Sequence, residues 1–161
     1  DQCPGIDEVL GLTPEWTYMF EIIHPDDPHI VDEDIGAYLI GARKNYLGSP
    51  LMSEQDLDQL AKNIGALRPR WWRDVRFSDV SQWAKESNRE GFMVRQGGKY
   101  LCKLKTNHYR IKKFLMRGNP EKIWADEDTV DIAQRVRENF TKDEWNNLTE
   151  QQRRKEIEKW I

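Results

Sequence analysis

One acid and two amines flank a pair of glycines in this chain. Glu90 precedes Gly97-Gly98, and Lys103 and Lys105 follow it. The runs Gly91–Arg95 and Lys99–Lys105 flank Gly97-Gly98, glycines that supply the positive φ a tight turn requires, so the spacing predicts a β-hairpin. A two-residue loop opposes Gln96 to Lys99, Phe92 to Lys103 and Glu90 to Lys105. A four-residue loop closed by Arg95 and Tyr100 preserves that register. Side chains alternate along a strand, so Glu90, Phe92 and Val94 share a face with Lys105, Lys103 and Leu101. A carboxylate converging with two ammonium groups suits phosphoryl chemistry. The amines neutralise phosphate oxygens as charge builds, and the acid holds a magnesium ion or its water. The alternative is a solvated strand face with a cross-strand Glu–Lys pair, worth well under about 1 kcal/mol.

The charge distribution points the same way. From Arg95 to Arg117 there are eight basic residues and no acid; with −3 on the whole chain, −11 remains for the rest. A concentrated basic stretch on an acidic protein fits a local phosphate site, or equally a solvated basic face.

Elements must hold these groups in place. Thr17–His24 is aromatic and β-branched and reads as a strand buried on both faces, and Ile30-Val31 and Ala37–Ala42 read as further strands. The two prolines and two aspartates of the His24–His29 segment predict a rigid turn; the bracketing histidines could instead suggest a metal site, without helical or Cys/His spacing to support one. Ser53 caps a helix carrying Leu57, Leu60, Ala61 and Ile64, stopped by Gly65. Ser78 or Asp79 opens a short helix. Another runs from about Asn107 to Arg117, ended by Gly118 and Pro120. Beyond Gly118 only helical patterns remain: an Ile132, Val136, Phe140 stripe, then capping boxes at Thr141-x-x-Glu144 and Thr149-x-x-Gln152. Phe140 and Trp145 form a hydrophobic staple, and the last helix buries Ile157, Trp160 and Ile161.

The hairpin residues resemble a known family. Glu90-Gly-Phe-Met-Val94, then Lys103-Leu-Lys105-Thr-Asn-His-Tyr109, is similar to motifs IV and V of the covalent nucleotidyltransferases, in the form used by ATP-dependent RNA ligases of the phage tRNA-repair type. Phe20-Glu21-Ile22-Ile23, followed by Pro25 and Ile30-Val31, resembles motif III, and Ala37-Tyr-Leu-Ile-Gly-Ala-Arg43 resembles motif IIIa. The order and the interval between motifs III and IV also match, over roughly residues 15–117. Two local departures stand out: Asp27-Pro28-His29 replaces the usual Asn-Arg, with one extra residue, and Gly41 takes a position where a polar residue is commoner.

The resemblance implies an α/β (α+β) fold: the antiparallel-sheet C-terminal part of the nucleotidyltransferase core over 1–117, followed by an all-helical segment over 118–161. It also implies RNA repair in three steps: a lysine attacks ATP to give lysyl-AMP, AMP passes to an RNA 5′-phosphate, and a 3′-hydroxyl displaces it. Glu21 would contact the nucleotide ribose, and Tyr38 would stack on adenine. Glu90 would bind Mg2+, Lys103 and Lys105 would hold the α-phosphate, and Tyr109 would sit near the phosphates or RNA end. The nucleophile's motif, Lys-x-Asp-Gly, occurs nowhere in the sequence. In the family it lies N-terminal to motif III, so this chain alone is expected to be inactive, with an N-terminal part of the same protein supplying the lysine. Alternatives are another covalent nucleotidyltransferase (a DNA ligase or capping enzyme), which would normally carry a β-barrel after motif V, or a non-catalytic RNA-binding fragment.

The remaining features are compatible with these readings. Charged residues make up 33% and apolar ones 38%, a globular rather than a disordered or membrane composition. No apolar run approaches membrane-spanning length, and Cys3 and Cys102 form neither a disulfide framework nor a metal site, so a cytoplasmic setting is expected. Arg68, Arg70, Trp71, Trp72, Arg73 and Arg76 interleave cations with aromatics, as single-strand RNA-binding surfaces and ordinary packing both do. Arg110, Lys112, Lys113 and Arg117 offer a helix face for phosphate contact. His108 is an acid–base candidate only because it adjoins the hairpin.

Overall fold

A computed structural model describes residues 12–27, 29–125 and 131–160. The chain divides into two compact units, Asp1–Val80 with Met93–Leu104, and Ser81–Phe92 with Lys105–Ile161. The fold is mixed α and β, with two small antiparallel sheets and seven helices among the described residues.

In the first unit, β1 (Trp16–Ile23) pairs antiparallel with β2 (Gly36–Lys44), with a register shift between Met19 and Phe20. The pairing sets Tyr18 opposite Ala42, Phe20 opposite Leu39, and Glu21 opposite Tyr38. Side chains from one face of this ribbon pack on helix α1 (Glu54–Ile64), where Leu39, Ala42, Leu57 and Ala61 form a buried core with Tyr18, Phe20, Met52 and Leu60 against it. Strand β1 is not buried on both faces as its composition suggested: Thr17, Glu21 and Ile22 are exposed. The α1 boundaries follow the sequence: Ser53 accepts from the Asp56 N–H, and Gly65 adopts the left-handed conformation that ends a helix. Just beyond it the chain runs parallel to β2. The Leu67 N–H donates to the Ala37 carbonyl at 3.0 Å, and the Leu39 N–H donates to the Leu67 carbonyl at 2.9 Å.

Ile30-Val31 is not a strand. Both side chains are buried, yet the backbone there forms a bend without ladder pairing. Hydrophobicity reported burial correctly, but pairing needs a partner backbone in reach. The expected turn is tight over residues 24–27: the Asp27 N–H donates to the His24 carbonyl at 3.1 Å, and the Asp26 N–H to His24 Nδ1 at 3.2 Å.

The second hairpin, β3 (Gly91–Gln96) and β4 (Lys99–Lys105), turns at Gly97 and Gly98, whose φ values of 54° and 75° are the left-handed pair that a two-residue turn demands. Helix α2 (Phe77–Glu86) precedes it. In the second unit, α3 (Asn107–Arg117) packs against α7 (Glu150–Glu158), with α4 (Pro120–Ala125), α5 (Asp131–Asn139) and α6 (Lys142–Asn147) between them in sequence. Pro120 opens α4 at its first residue, where its missing N–H costs nothing. Both capping boxes form, and Phe140 meets the fully buried Trp145 edge-on at 5.2 Å. Arg153 joins these helix ends, donating to the carbonyls of Met116, Trp145 and Asn146. Ile157 is buried as expected, while Ile161 lies outside the described residues. The helical segment anticipated after Arg117 lies within this unit, which also takes in α3. No described helix is long and apolar enough to cross a membrane.

Candidate functional site

The junction between hairpin and α3 is built around Thr106. This residue is fully buried. Its N–H donates to the Glu90 carbonyl at 3.1 Å, and its hydroxyl donates to the Arg89 carbonyl at 2.6 Å. The same hydroxyl accepts from the Tyr109 N–H at 3.0 Å, capping α3. One side chain thus closes the foot of the hairpin and starts the helix, which fixes where Glu90, Lys105 and Tyr109 stand. The signal for it was present in the sequence: a threonine directly before a helix is a cap candidate.

Around this clamp the ammonium of Lys105 donates to Glu90 Oε1 and sits 4.5 Å from the centre of the Tyr109 ring. Lys113, one turn along α3, approaches the same ring at 5.7 Å. Glu90 and Lys105 are each about one-third exposed (29% and 32%), so a ligand could reach both while their electrostatics remain stronger than on an open surface. Lys103, two residues back along β4, is exposed. At the other end of the hairpin the Arg95 guanidinium lies over the Tyr100 ring at 4.3 Å. Both cross-strand pairs, Glu90 with Lys105 and Arg95 with Tyr100, match the register drawn from the turn.

Glu21 and Tyr38 oppose one another across β1 and β2 in the first unit. Glu21 is exposed. Tyr38 is half-buried and its hydroxyl donates to the Asp34 carbonyl at 3.1 Å. Burial, then the charges of Asp34 and Glu33, push its phenol above the ordinary value. The structure therefore brings Glu90, Lys105 and Tyr109 together in one unit and pairs Glu21 with Tyr38 in the other.

Several basic residues have different tasks from those the sequence offered. Lys112 is buried and donates to Glu158 at 3.2 Å, while Arg117 makes a two-pronged contact with Glu150 at 2.9 and 2.7 Å. Two of the four cations on the supposed phosphate-binding face of α3 instead fasten it to α7. Arg68 is likewise structural: it donates to Asp58 at 2.9 Å and also engages Glu54 and the Leu39 carbonyl. Sequence reasoning missed that Glu54 also accepts from Arg95, forty-one residues away. No local pattern marks a contact of that span.

The chain matches no protein-family model, and no curated protein matches it.

Proposed function

We propose that this chain is the C-terminal part of an ATP-dependent RNA ligase, joining RNA 5′-phosphate and 3′-hydroxyl ends. The observation that carries the reading is the meeting of Glu90 and Lys105 beside Tyr109, at the end of the strand that also bears Lys103. It gains support from the second unit, where every regular element described after Gly118 is a helix, α4 to α7. A DNA ligase or capping enzyme would normally continue into a β-barrel.

In this reading Lys105 and Lys103 neutralise the oxygens of the nucleotide's α-phosphate as the RNA 3′-hydroxyl attacks the adenylylated 5′-phosphate. A phosphodiester bond forms and AMP departs. Preplaced cations at such a phosphate act through electrostatic stabilisation of the transition state. While no phosphate is present, Glu90 gives Lys105 a counter-charge; with one bound, the ammonium turns to the phosphate and the carboxylate is released. Mg2+ is commonly held by one or two carboxylates together with substrate phosphates, and Glu90 offers a hard oxygen donor suited to that role. The ion would neutralise phosphate charge there. Glu21 and Tyr38 would meet the ribose and adenine, and Tyr109 would lie near the phosphates. A reducing cytoplasmic location belongs to the same proposal, and fits an exposed Cys102 thiol.

The test is ATP-dependent sealing of 5′-phosphate and 3′-hydroxyl RNA ends by the native protein and by its Glu90→Gln and Lys105→Met variants. Each variant should lose about 100-fold or more in sealing rate, the usual effect of deleting one transition-state contact. Undiminished sealing in both would overturn the reading.

A further inference from the structure

The segment after Leu67 has no regular secondary structure until α2, yet it is firmly anchored at its start. Asp58 on α1 accepts from Arg68 Nε at 2.9 Å through one carboxylate oxygen and from Trp71 Nε1 at 2.8 Å through the other. Arg68 also reaches Glu54 and the Leu39 carbonyl. From Arg70 to Arg73 two arginines flank two adjacent indoles. Arg70 lies over the Trp72 ring at 4.9 Å, and Arg73 over the Trp71 ring at 5.8 Å. Trp72 is 40% exposed, a large apolar surface to leave in water. Arg70 and Arg73 are exposed and have no carboxylate partner among the described residues. An open cavity of about 510 Å³ adjoins Arg70, with Asp58, Lys62, Leu67, Arg68 and Trp71 also in its lining.

We propose that Arg70, Trp72 and Arg73 form a stacking surface for single-stranded RNA, anchored by Arg68 and Trp71 on Asp58. Single strands are bound by aromatic and guanidinium planes that stack on unpaired bases, with cations tracking the phosphates. This segment supplies both within four consecutive residues, in the same unit. Arg68 and the Trp71 edge are already fixed, so little ordering cost falls on the anchor when a strand binds. The surface lies entirely within the first unit and uses none of the groups assigned to ligation. The choice of RNA over DNA rests on the ligase reading; the stacking surface does not.

The experiment is fluorescence anisotropy of a labelled oligouridylate titrated with the whole chain at low and moderate salt. The parent chain should bind saturably. Trp72→Ala should weaken binding about 10-fold, within the range for removing one base–aromatic stack, and Trp72→Phe should restore most of it. Arg70→Ala with Arg73→Ala should also flatten the dependence of log affinity on log salt by about 0.7 for each phosphate no longer neutralised. Circular dichroism melting of each variant should match the parent, since these side chains are exposed. No saturable binding by the parent, or parental affinity in both the Trp72→Ala and the double-arginine variants, would overturn the proposal. Equal affinity for oligothymidylate would overturn the assignment to RNA. Oligouridylate binding is read without ATP or sealable ends, and sealing is read separately, so failure of this surface and failure of the ligase reading give different results.

Discussion

Glu90 and Lys105 lie fifteen residues apart in sequence, and their side chains meet at the foot of the β3–β4 hairpin, on the strand ends that Thr106 ties together. The pair is positioned by backbone: the Glu90 carbonyl is held by the Thr106 N–H, and Lys105 is the last residue of β4. Such a pair, about one-third exposed, contributes little to folding, about 1 kcal/mol or less. Glu90→Gln should therefore leave the urea midpoint nearly unchanged while removing sealing. A large loss of stability in that variant would mean the pair is structural.

Thr106 should behave in the opposite way. Thr106→Val keeps the shape but removes the donor to the Arg89 carbonyl and the cap of α3. The loss should cost about 2 kcal/mol, combining a missing cap with a buried acceptor left unmet. Equilibrium urea unfolding measures it, and an unchanged midpoint would show that water replaces the hydroxyl at no cost.

Lys112 and Glu158 should respond asymmetrically. Lys112 is buried, whereas the Glu158 side chain is 40% exposed. Glu158→Ala removes a counter-charge from a buried ammonium and should cost about 2 kcal/mol. Lys112→Met leaves only a carboxylate that water can solvate, and should cost less. Equal losses measured by urea unfolding would show that the burial of Lys112 does not govern the pair.

Acid should loosen the first unit through Asp58. Partial burial pushes its carboxyl up, but the hydrogen bonds from Arg68 and Trp71, with the Arg68 charge, outweigh that and hold it below the ordinary aspartate value. A carboxyl lowered in the folded state stabilises the fold above its unfolded value, near 4, and that contribution disappears as pH falls through the lowered folded value. Urea midpoints measured from neutral pH downward should fall less steeply over that window in Asp58→Asn than in the parent, and the variant should start from a lower midpoint. Parallel profiles would show that Asp58 is not linked to stability.

Adenylylation provides a further test. Lys-x-Asp-Gly is absent from residues 1–161, so incubating this chain with Mg2+ and α-labelled ATP should leave no label on it after denaturing electrophoresis. A labelled band would show that some other lysine here serves as nucleophile.

What the sequence determined by itself was local. Ser53, Thr141 and Thr149 cap their helices because a hydroxyl and the amides it satisfies are three residues apart. Gly97-Gly98 set the hairpin register because the turn admits only positive φ, and the side-chain alternation that follows brought Glu90 to Lys105. Only the tertiary structure decided which charges were left for a ligand. Lys112 and Arg117 looked like phosphate contacts until α7 supplied Glu158 and Glu150. Arg68 looked like part of an RNA surface until α1 supplied Glu54 and Asp58, leaving Arg70 and Arg73 exposed with no carboxylate partner among the described residues. Ile30-Val31 is buried without strand pairing, while Leu67 pairs with β2 across nearly thirty residues. A side chain's type fixes what it can bond to, but its actual partner depends on which distant groups packing brings within about 3 Å.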